Sequence, residues 1–301
     1  RHPSQHIAYN NLGIAYRQRG QLDPAIAAYQ QALYVCPEYA DAHFNLGNAF
    51  EETRQMQEAL CCYQKAIEHQ PDMAKAYNNL GNVFYVLGDL DKAQTAYEKT
   101  LTLQPANAFS RHMLNSLTGV ASEAAPAQYV EALFDKAAGD FEERLVQDLK
   151  YNSPQELQLE LLKLLEPLPQ FKNALDLGCG TGLSGVEFRA LTKQLAGVDI
   201  SSKMVELARQ KKLYDALQVG EIIDYLEQST THYDLFLATD VLAYFGNLTP
   251  LFESIQKHSM KEAYFLFTVE DVEHEDYLLR KTGRFSHSKN YIQTLAEAHE
   301  F

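Results

Sequence analysis

A run of glycines that follows an apolar stretch is the part of this sequence best suited to chemistry. Residues 174–185 read ALDLGCGTGLSG, with glycines at 178, 180, 182 and 185. Glycine lets the backbone turn sharply and lets a ligand approach without a Cβ in the way. A buried strand that passes through such a turn into a helix is typical of a nucleotide-sized ligand site. We therefore interpret these residues as a cofactor loop.

Two cofactor classes fit the spacing of the loop. Residues 180–185 match the G-x-G-x-x-G spacing of dinucleotide sites, while residues 176–182 match an acid-x-G-x-G-x-G pattern. Asp199 ends a second apolar run 21 residues after Gly178, where a carboxylate can bind ribose hydroxyls. This acid suits both classes, so the loop and Asp199 alone leave the cofactor open.

Four motifs in order resemble those of class I S-adenosylmethionine (SAM) methyltransferases: residues 175–182, 198–204, 219–221 and 233–240. The resemblance implies that Asp176, Gly178, Gly180 and Gly182 hold the methionine part of SAM and that Asp199 binds the ribose. It further implies that Ile200 and Met204 contact the faces of the adenine and that Glu221 binds its amino group. Ile222 and Thr239 are further candidates for cofactor binding. A purely structural turn would predict none of the downstream acids.

Candidate acceptor residues lie in the segments that follow the fourth and fifth predicted strands, 240–245 and 283–288. Methyl transfer chiefly needs near-attack geometry and the exclusion of water, and it needs a base only when the acceptor must lose a proton. His287 is the best proton acceptor by its ordinary pKa, followed by Tyr244 and Tyr291. His287 equally suits a helix cap, and Arg284 suits either an acidic acceptor or a surface ion pair.

The elements that position these residues alternate between strand and helix. Strands are predicted near 174–178, 194–199, 216–219, 233–239 and 262–269, with helices between them. Such alternation predicts a parallel sheet covered on both faces, a Rossmann-like class I methyltransferase domain over 151–301. One helix near 287–299 follows the fifth strand before Phe301, so we expect the terminal strand hairpin of these enzymes to be missing. Either the sequence is a shortened one or the sheet has five strands.

The first third of the chain repeats itself every 34 residues. Gly13, Gly47 and Gly81 share one repeat position, and prolines at 37, 71 and 105 share another. This period and pattern match tetratricopeptide (TPR) repeats, which form an α-helical solenoid. We predict a domain over 1–118, with three repeats in 6–105 and a closing helix near 107–117 that covers the end of the stack.

Asparagines recur on the helices that line the concave face of such a stack: Asn10, Asn11, Asn45, Asn48, Asn78, Asn79 and Asn82. An asparagine side chain offers both donors and acceptors to a peptide backbone. We therefore expect the side that carries Asn11, Asn45 and Asn79 to bind a protein or peptide. The alternative is that these residues are solvated and recur only because the repeat does.

A linker and a helical cap are predicted between the two domains, over 119–150. Residues 118–127 are small and include one glycine and one proline, and residues 129–145 predict two short amphipathic helices joined near Gly139. The order of repeats, linker and cap resembles a group of predicted bacterial TPR-containing methyltransferases. In that group a tyrosine commonly follows the Phe-Asp pair, but Ala137 stands there in this chain, and Tyr151 is the alternative contact to the cofactor.

The charge distribution argues against nucleic acid as a partner. The net charge is −14, and residues 1–118 hold nine Lys and Arg against eleven Asp and Glu, which leaves 17 against 29 for the remainder. The predicted catalytic half is therefore strongly acidic, and it repels phosphate backbones. The sequence contains no apolar run long enough for a membrane span, so no membrane partner is expected.

The four cysteines, Cys36, Cys61, Cys62 and Cys179, show neither C-x-x-C spacing nor a paired histidine pattern. A metal site is therefore not expected. Unpaired cysteines as small apolar residues suit a reducing compartment, and we expect a cytoplasmic protein. The oligomeric state is open.

Three functions are compatible with these features. The leading hypothesis is a SAM-dependent methyltransferase whose TPR stack recruits a protein substrate or partner. The second is a TPR scaffold with a SAM-binding but inactive methyltransferase-like domain. The third, an NAD-dependent oxidoreductase, is disfavoured because Glu221 and the segment of Thr239 resemble the SAM enzymes.

Overall fold

The computed structural model describes residues 4–139, 141–143, 145, 150–165, 167 and 170–301. Residues 1–3 of the predicted repeat domain lie outside the described residues. So do residues 140, 144 and 146–149 of the predicted linker and cap, of which 140 and 144 belong to its predicted second helix. The chain divides into two compact units, one ending at Leu117 and one beginning at Thr118.

The first unit is a stack of paired helices. Its helices are α1 Gln5–Gln18, α2 Leu22–Val35, α3 Ala40–Glu52, α4 Met56–His69, α5 Ala74–Val86, α6 Leu90–Leu103 and α7 Ala108–Thr118. α1 packs on α2, α3 on α4 and α5 on α6, and successive pairs pack on each other. The predicted repeats are therefore confirmed, with α7 in the place of the predicted closing helix.

Within each pair, a tyrosine ring lies against the shared glycine. Tyr29, Tyr63 and Tyr97 are fully buried. An ideal Cβ at Gly47 would lie 2.7 Å from the Cε1 atom of Tyr63, and the other two pairs repeat this geometry. The glycines are therefore required because the ring of the second helix occupies the volume that a side chain would need.

We expect Gly47→Ala to lower the free energy of unfolding by about 1–3 kcal/mol, since an extra methyl group overpacks a filled core. Denaturant unfolding followed by circular dichroism measures this loss. In a double-mutant cycle with Tyr63→Leu, Gly47→Ala should lower the free energy of unfolding much less, because the ring that overlaps with the added methyl group is absent. Equal losses in the two backgrounds would contradict the proposed contact.

The second unit is built on a five-stranded parallel sheet in the order β3-β2-β1-β4-β5. Its strands are β1 Phe171–Leu177, β2 Thr192–Asp199, β3 Ala216–Val219, β4 Tyr233–Ala238 and β5 Ser259–Phe267. Its helices are α8 Ala127–Ala137, α9 Ser153–Leu164, α10 Leu183–Phe188, α11 Ser202–Lys211, α12 Ile222–Gln228, α13 Thr249–Lys257 and α14 Lys289–Ala298. The predicted Rossmann-like fold is confirmed.

Apolar clusters cover this sheet on both faces. One cluster joins Leu175, Leu177 and Phe236 to helices α12, α13 and α14. The other joins Leu195, Leu235 and neighbouring strand residues to α9 and α10. The central strands β1 and β4 are buried over most of their length, which is why they read as nearly continuous apolar runs.

A small three-stranded sheet, which the sequence analysis did not predict, follows the fifth strand. It consists of β6 Glu270–Asp271, β7 Tyr277–Leu279 and β8 Phe285–His287, in the order β6-β8-β7. In the described part of the chain, the main sheet has the five strands named above and no antiparallel hairpin beside β5. None of the described helices combines the length and the apolar character needed to cross a bilayer.

Candidate cofactor and acceptor site

The cofactor loop connects β1 to α10 at the carboxyl end of the sheet. The backbone N–H groups of Gly178 and Cys179 both donate to the carbonyl of Val198, at 2.8 and 3.0 Å. Gly178, Gly180 and Gly182 have φ values of 68°, 51° and 89°. Three left-handed residues within five positions explain why the turn is built from glycine.

Asp199 ends β2 and binds the loop directly. Its Oδ2 accepts a hydrogen bond from the Gly180 N–H at 2.8 Å, and its Oδ1 accepts one from the Ser201 N–H at 2.8 Å. The Ser201 side chain in turn caps α11 by accepting a bond from the Met204 N–H at 3.2 Å. Burial raises the pKa of Asp199, and the two backbone donors oppose that rise. One carboxylate thus holds the turn and the start of α11 together.

A cavity of about 580 Å³ opens beside this turn. Its volume lies within the range usual for small-molecule sites. It is lined by the ends of β2 and β4, by the residues after β3, and by parts of the segment 123–151. The predicted site residues that line it are Gly178, Gly180, Asp199, Ile200, Glu221, Ile222, Thr239 and Tyr244.

Three other predicted cofactor residues lie behind the cavity wall. Asp176 and Met204 are fully buried, and Gly182 packs on the ring of Tyr214. The Tyr214 hydroxyl donates to Asp176 Oδ2 at 2.6 Å and accepts a bond from the Gly185 N–H at 3.1 Å. Asp176 and Gly182 therefore contact Tyr214, and none of the three residues lines the cavity.

Asp176 should make stability depend on pH. Burial raises its pKa from 3.8 to about 7, although the Tyr214 hydroxyl opposes the rise. Between these values the folded state holds a proton that the unfolded state has released, so the free energy of unfolding falls as pH rises. Above about pH 7 this contribution is constant.

The measurement is denaturant unfolding of the wild-type chain and of Asp176→Asn at several values from pH 4 to pH 8, across the interval between the two pKa values. Many carboxyl groups titrate in this interval, so the informative quantity is the difference between the two proteins. We expect the wild type to lose stability relative to the variant as pH rises. Parallel curves would show that Asp176 titrates normally.

The structure does not bring His287 or Tyr291 to the cavity. His287 lies in β8, is fully buried, and has its Nε2 atom 3.1 Å from the Gly246 carbonyl oxygen. Burial lowers its pKa. The Tyr291 hydroxyl accepts a bond from the Leu248 N–H at 2.9 Å, and its ring stacks on His287. His287 links the small sheet, and Tyr291 links α14, to the chain after β4, so neither is placed to take a proton from an acceptor.

Arg284 lines the cavity within a charged cluster. Its guanidinium binds Glu270, lies 3.2 Å from Asp240 Oδ1, and donates to the Tyr244 hydroxyl at 3.4 Å. Two carboxylates therefore share one cation. This arrangement supports the ion-pair alternative for Arg284 over the binding of an acidic acceptor.

Asp240 follows β4 in an uncommon backbone conformation, with φ of 58°. Its N–H donates to the Thr268 hydroxyl at 2.8 Å, which holds it in place. Burial raises the pKa of Tyr151, and the nearby negative charge of Asp240 raises it further. Left-handed non-glycine residues cluster at functional sites, so Asp240 is a site candidate that the sequence analysis named only within a segment.

The segment before α8, and α8 itself, form the opposite wall. The Gly246 N–H donates to the Glu123 carbonyl at 2.7 Å, and the Ala125 N–H donates to the Tyr244 carbonyl at 2.8 Å. Phe134 of α8 meets the ring of Tyr244 edge to face, with centroids 5.4 Å apart. The predicted cap therefore contacts the cavity through Phe134 and Ala137, and Tyr151 also lines it.

Comparison with known families decides the identity of the second unit. The family profile described as a methyltransferase domain matches residues 149–299, half of the chain. The chain belongs to this methyltransferase family. Profiles described as TPR repeat and tetratricopeptide repeat match residues 13–53, 40–73 and 74–107. The resemblance read from the sequence motifs is thereby confirmed.

Solved structures similar to the two units were also found. The structure of DhpI in complex with SAH is 16% identical to this chain and has a TM-score of 0.46. The match spans 57% of this chain and 86% of the DhpI chain. The second TPR domain of human RPAP3, in complex with the HSP70 peptide SGPTIEEVD, is 24% identical and has a TM-score of 0.37. This match spans 38% of this chain and 95% of the RPAP3 domain. MamA is 28% identical and has a TM-score of 0.36, and its match spans 48% of this chain and 82% of the MamA chain. A search of curated protein sequences gives no match.

Several asparagines of the TPR stack bind one another across repeats. Asn45 Nδ2 donates to Asn10 Oδ1 at 2.9 Å, and Asn79 Nδ2 donates to Asn48 Oδ1 at 2.8 Å. Asn10 is only 4% exposed, whereas Asn11 is exposed. Part of the predicted peptide-binding set therefore fixes the register between neighbouring repeats.

Thr181 and Tyr214 are site residues of the methyltransferase domain that the sequence analysis did not single out. Thr181 lines the cavity, and its Oγ1 atom is buried without a hydrogen-bond partner. Its position between Gly180 and Gly182 could have identified it as a site residue from the sequence. Tyr214 gave no such signal, because its contacts with the loop join residues far apart in sequence. Within the described ranges, no group of His, Cys, Asp and Glu side chains is arranged to hold a metal ion.

Proposed function

We propose that the chain transfers a methyl group from SAM to an acceptor bound in the same cavity. The observation that carries this proposal is the Asp199 carboxylate, which binds the Gly180 N–H and lines the cavity at the carboxyl end of the sheet. In open α/β sheets, ligands bind in this crevice. Asp199 retains lone pairs that ribose hydroxyls can use.

The residues present fit SAM. The buried Thr181 hydroxyl lacks a partner, and an unpaired buried hydroxyl costs free energy unless a ligand satisfies it. An ideal Cβ at Gly180 would meet nothing within 4 Å, so this turn offers open space. Asp199 would hold the ribose, Glu221 the adenine amino group, and Ile200 and Ile222 the adenine faces. Thr181 and the glycine backbone would hold the amino-acid tail.

When bound, SAM supplies a methyl group on a positively charged sulfur. The chain itself positions the two reactants and keeps water away from them. The walls for this purpose come from the apolar side chains of α8 and from Phe245, which line the cavity.

We also propose that the TPR stack binds a polypeptide and thereby recruits a substrate or partner. The exposed Asn11 and the half-buried Asn45 and Asn79 support a role for this side of the stack. The proposed domains remain 1–118 for the repeats, 119–150 for the linker and cap, and 151–301 for methyl transfer.

Isothermal titration of the full chain with SAM, with its demethylated product S-adenosylhomocysteine (SAH), and with NAD tests the cofactor. We expect SAM and SAH to bind and NAD not to bind. Binding of NAD alone would overturn the proposal. Incubation with tritiated SAM and a cell lysate then tests transfer, since label in protein or in small molecules shows catalysis. SAH binding without label transfer to any component would favour the inactive scaffold.

A further inference from the structure

Part of the cavity, which we call the aromatic end, is rich in aromatic side chains. It is lined by the rings of Phe134, Phe141, Tyr151, Tyr244 and Phe245. The Phe134 ring lies edge to face with Tyr244 at 5.4 Å and with Phe141 at 6.0 Å. Ring faces carry partial negative charge, and the Arg284 guanidinium already lies over the Tyr244 ring, 5.5 Å from its centroid.

Asp240 supplies a full negative charge at the aromatic end. Its side chain is 46% exposed and lies beside Arg284, whose guanidinium also binds Glu270. The two carboxylates exceed the single cation by one negative charge. An anionic acceptor would be repelled here, whereas a cationic one would be attracted.

We propose that the methyl acceptor is a small organic amine whose nitrogen lies beside Asp240 and between the aromatic rings. The proposal rests on methyl transfer from SAM and names the acceptor class for that same site. Ammonium groups bind well where a carboxylate and aromatic faces converge, because both favour positive charge. An alcohol is neutral and would gain much less from the carboxylate and the rings.

The chemical step balances with these residues. The bound ammonium group first releases a proton through the Asp240 carboxylate to water. The lone pair of the resulting neutral amine forms the new bond to the methyl carbon, and the carbon–sulfur bond breaks with its electron pair remaining on sulfur. Positive charge therefore appears on nitrogen, where the rings and Asp240 stabilise it. An amine that carried a hydrogen then releases a proton through the Asp240 carboxylate to water.

Titration calorimetry of the full chain saturated with SAH tests this inference, since SAH carries no transferable methyl group. The probes are 2-phenylethylamine, 2-phenylethanol and 3-phenylpropanoate, which share one ring and differ in charge. We expect the amine to bind about 10-fold or more tightly than the alcohol, and the carboxylate to bind most weakly. The tripeptide Gly-Lys-Gly is a further probe, and its binding in place of 2-phenylethylamine would overturn the small-molecule acceptor in favour of a protein side chain.

Asp240→Asn removes the charge and keeps a residue that tolerates a left-handed backbone. We expect it to weaken amine binding about 10-fold and to leave alcohol binding within about 2-fold. Asp271→Asn changes an exposed carboxylate of the small sheet and should alter neither.

The two proposals fail in different ways. If the wild-type chain does not bind SAH, the proposal of methyl transfer itself is contradicted. Normal SAH binding together with no preference for either amine, or with a preference that Asp240→Asn leaves intact, overturns the acceptor class alone. SAH binding by Asp240→Asn shows that the variant is folded.

Discussion

Asp199→Asn should weaken SAH binding about 100-fold, since hydrogen bonds to a charged group contribute about 1.5–3 kcal/mol each. Asp199 Oδ2 accepts from the Gly180 N–H and Oδ1 from the Ser201 N–H, both at 2.8 Å. An amide in its place has one acceptor oxygen, so one backbone donor would face an NH₂ group. The turn would distort, and the group proposed to bind the ribose would lose its charge. Titration calorimetry with SAH measures the loss.

Asp234→Asn provides a matched control for this variant. Asp234 likewise accepts two backbone hydrogen bonds, from the N–H groups of Lys172 at 2.7 Å and Asn173 at 2.9 Å. These bonds lie at the opposite end of β1 from the glycine turn. We expect Asp234→Asn to lower the melting temperature and to leave SAH affinity unchanged. Equal loss of affinity in both variants would mean that Asp199 acts only through stability.

The sequence predicted those parts of the site that depend on short-range pattern. The glycine turn and Asp199 were predictable because each follows a strongly apolar strand, and neighbouring parallel strands end at the same edge of the sheet. The TPR helices were predictable because the repeat period places the same packing residues in each unit. These signals lie within windows of a few tens of residues.

The remaining features depend on contacts that no local pattern records. Tyr214 fills the space left by Gly182, Gly185 and Gly197, which belong to other elements. The strands of the small sheet are two or three residues long, too short for an alternating pattern. His287 was chosen for its pKa, but chemistry alone does not indicate which side of a three-residue strand faces inward.

Gly180→Ala tests the proposed site with the smallest change in volume. Gly180 lines the cavity with φ of 51°, and a Cβ there would meet no protein atom within 4 Å. The variant should therefore fold, with a strain of about 1–2 kcal/mol from the left-handed conformation. The methyl group would occupy space that the proposal gives to the cofactor tail, so we expect SAH affinity to fall about 10-fold or more, as measured by calorimetry.

Gly119→Ala separates this steric effect from backbone strain. Gly119 also has a left-handed conformation, with φ of 72°, and a Cβ there would likewise meet nothing within 4 Å, but it does not line the cavity. Its variant should show a similar loss of stability and normal SAH affinity. If Gly180→Ala also binds SAH normally, no ligand approaches the turn closely, and Asp199 would then serve only to hold the loop. A selective loss in Gly180→Ala places the ligand against the backbone at this residue, since strain is common to both variants.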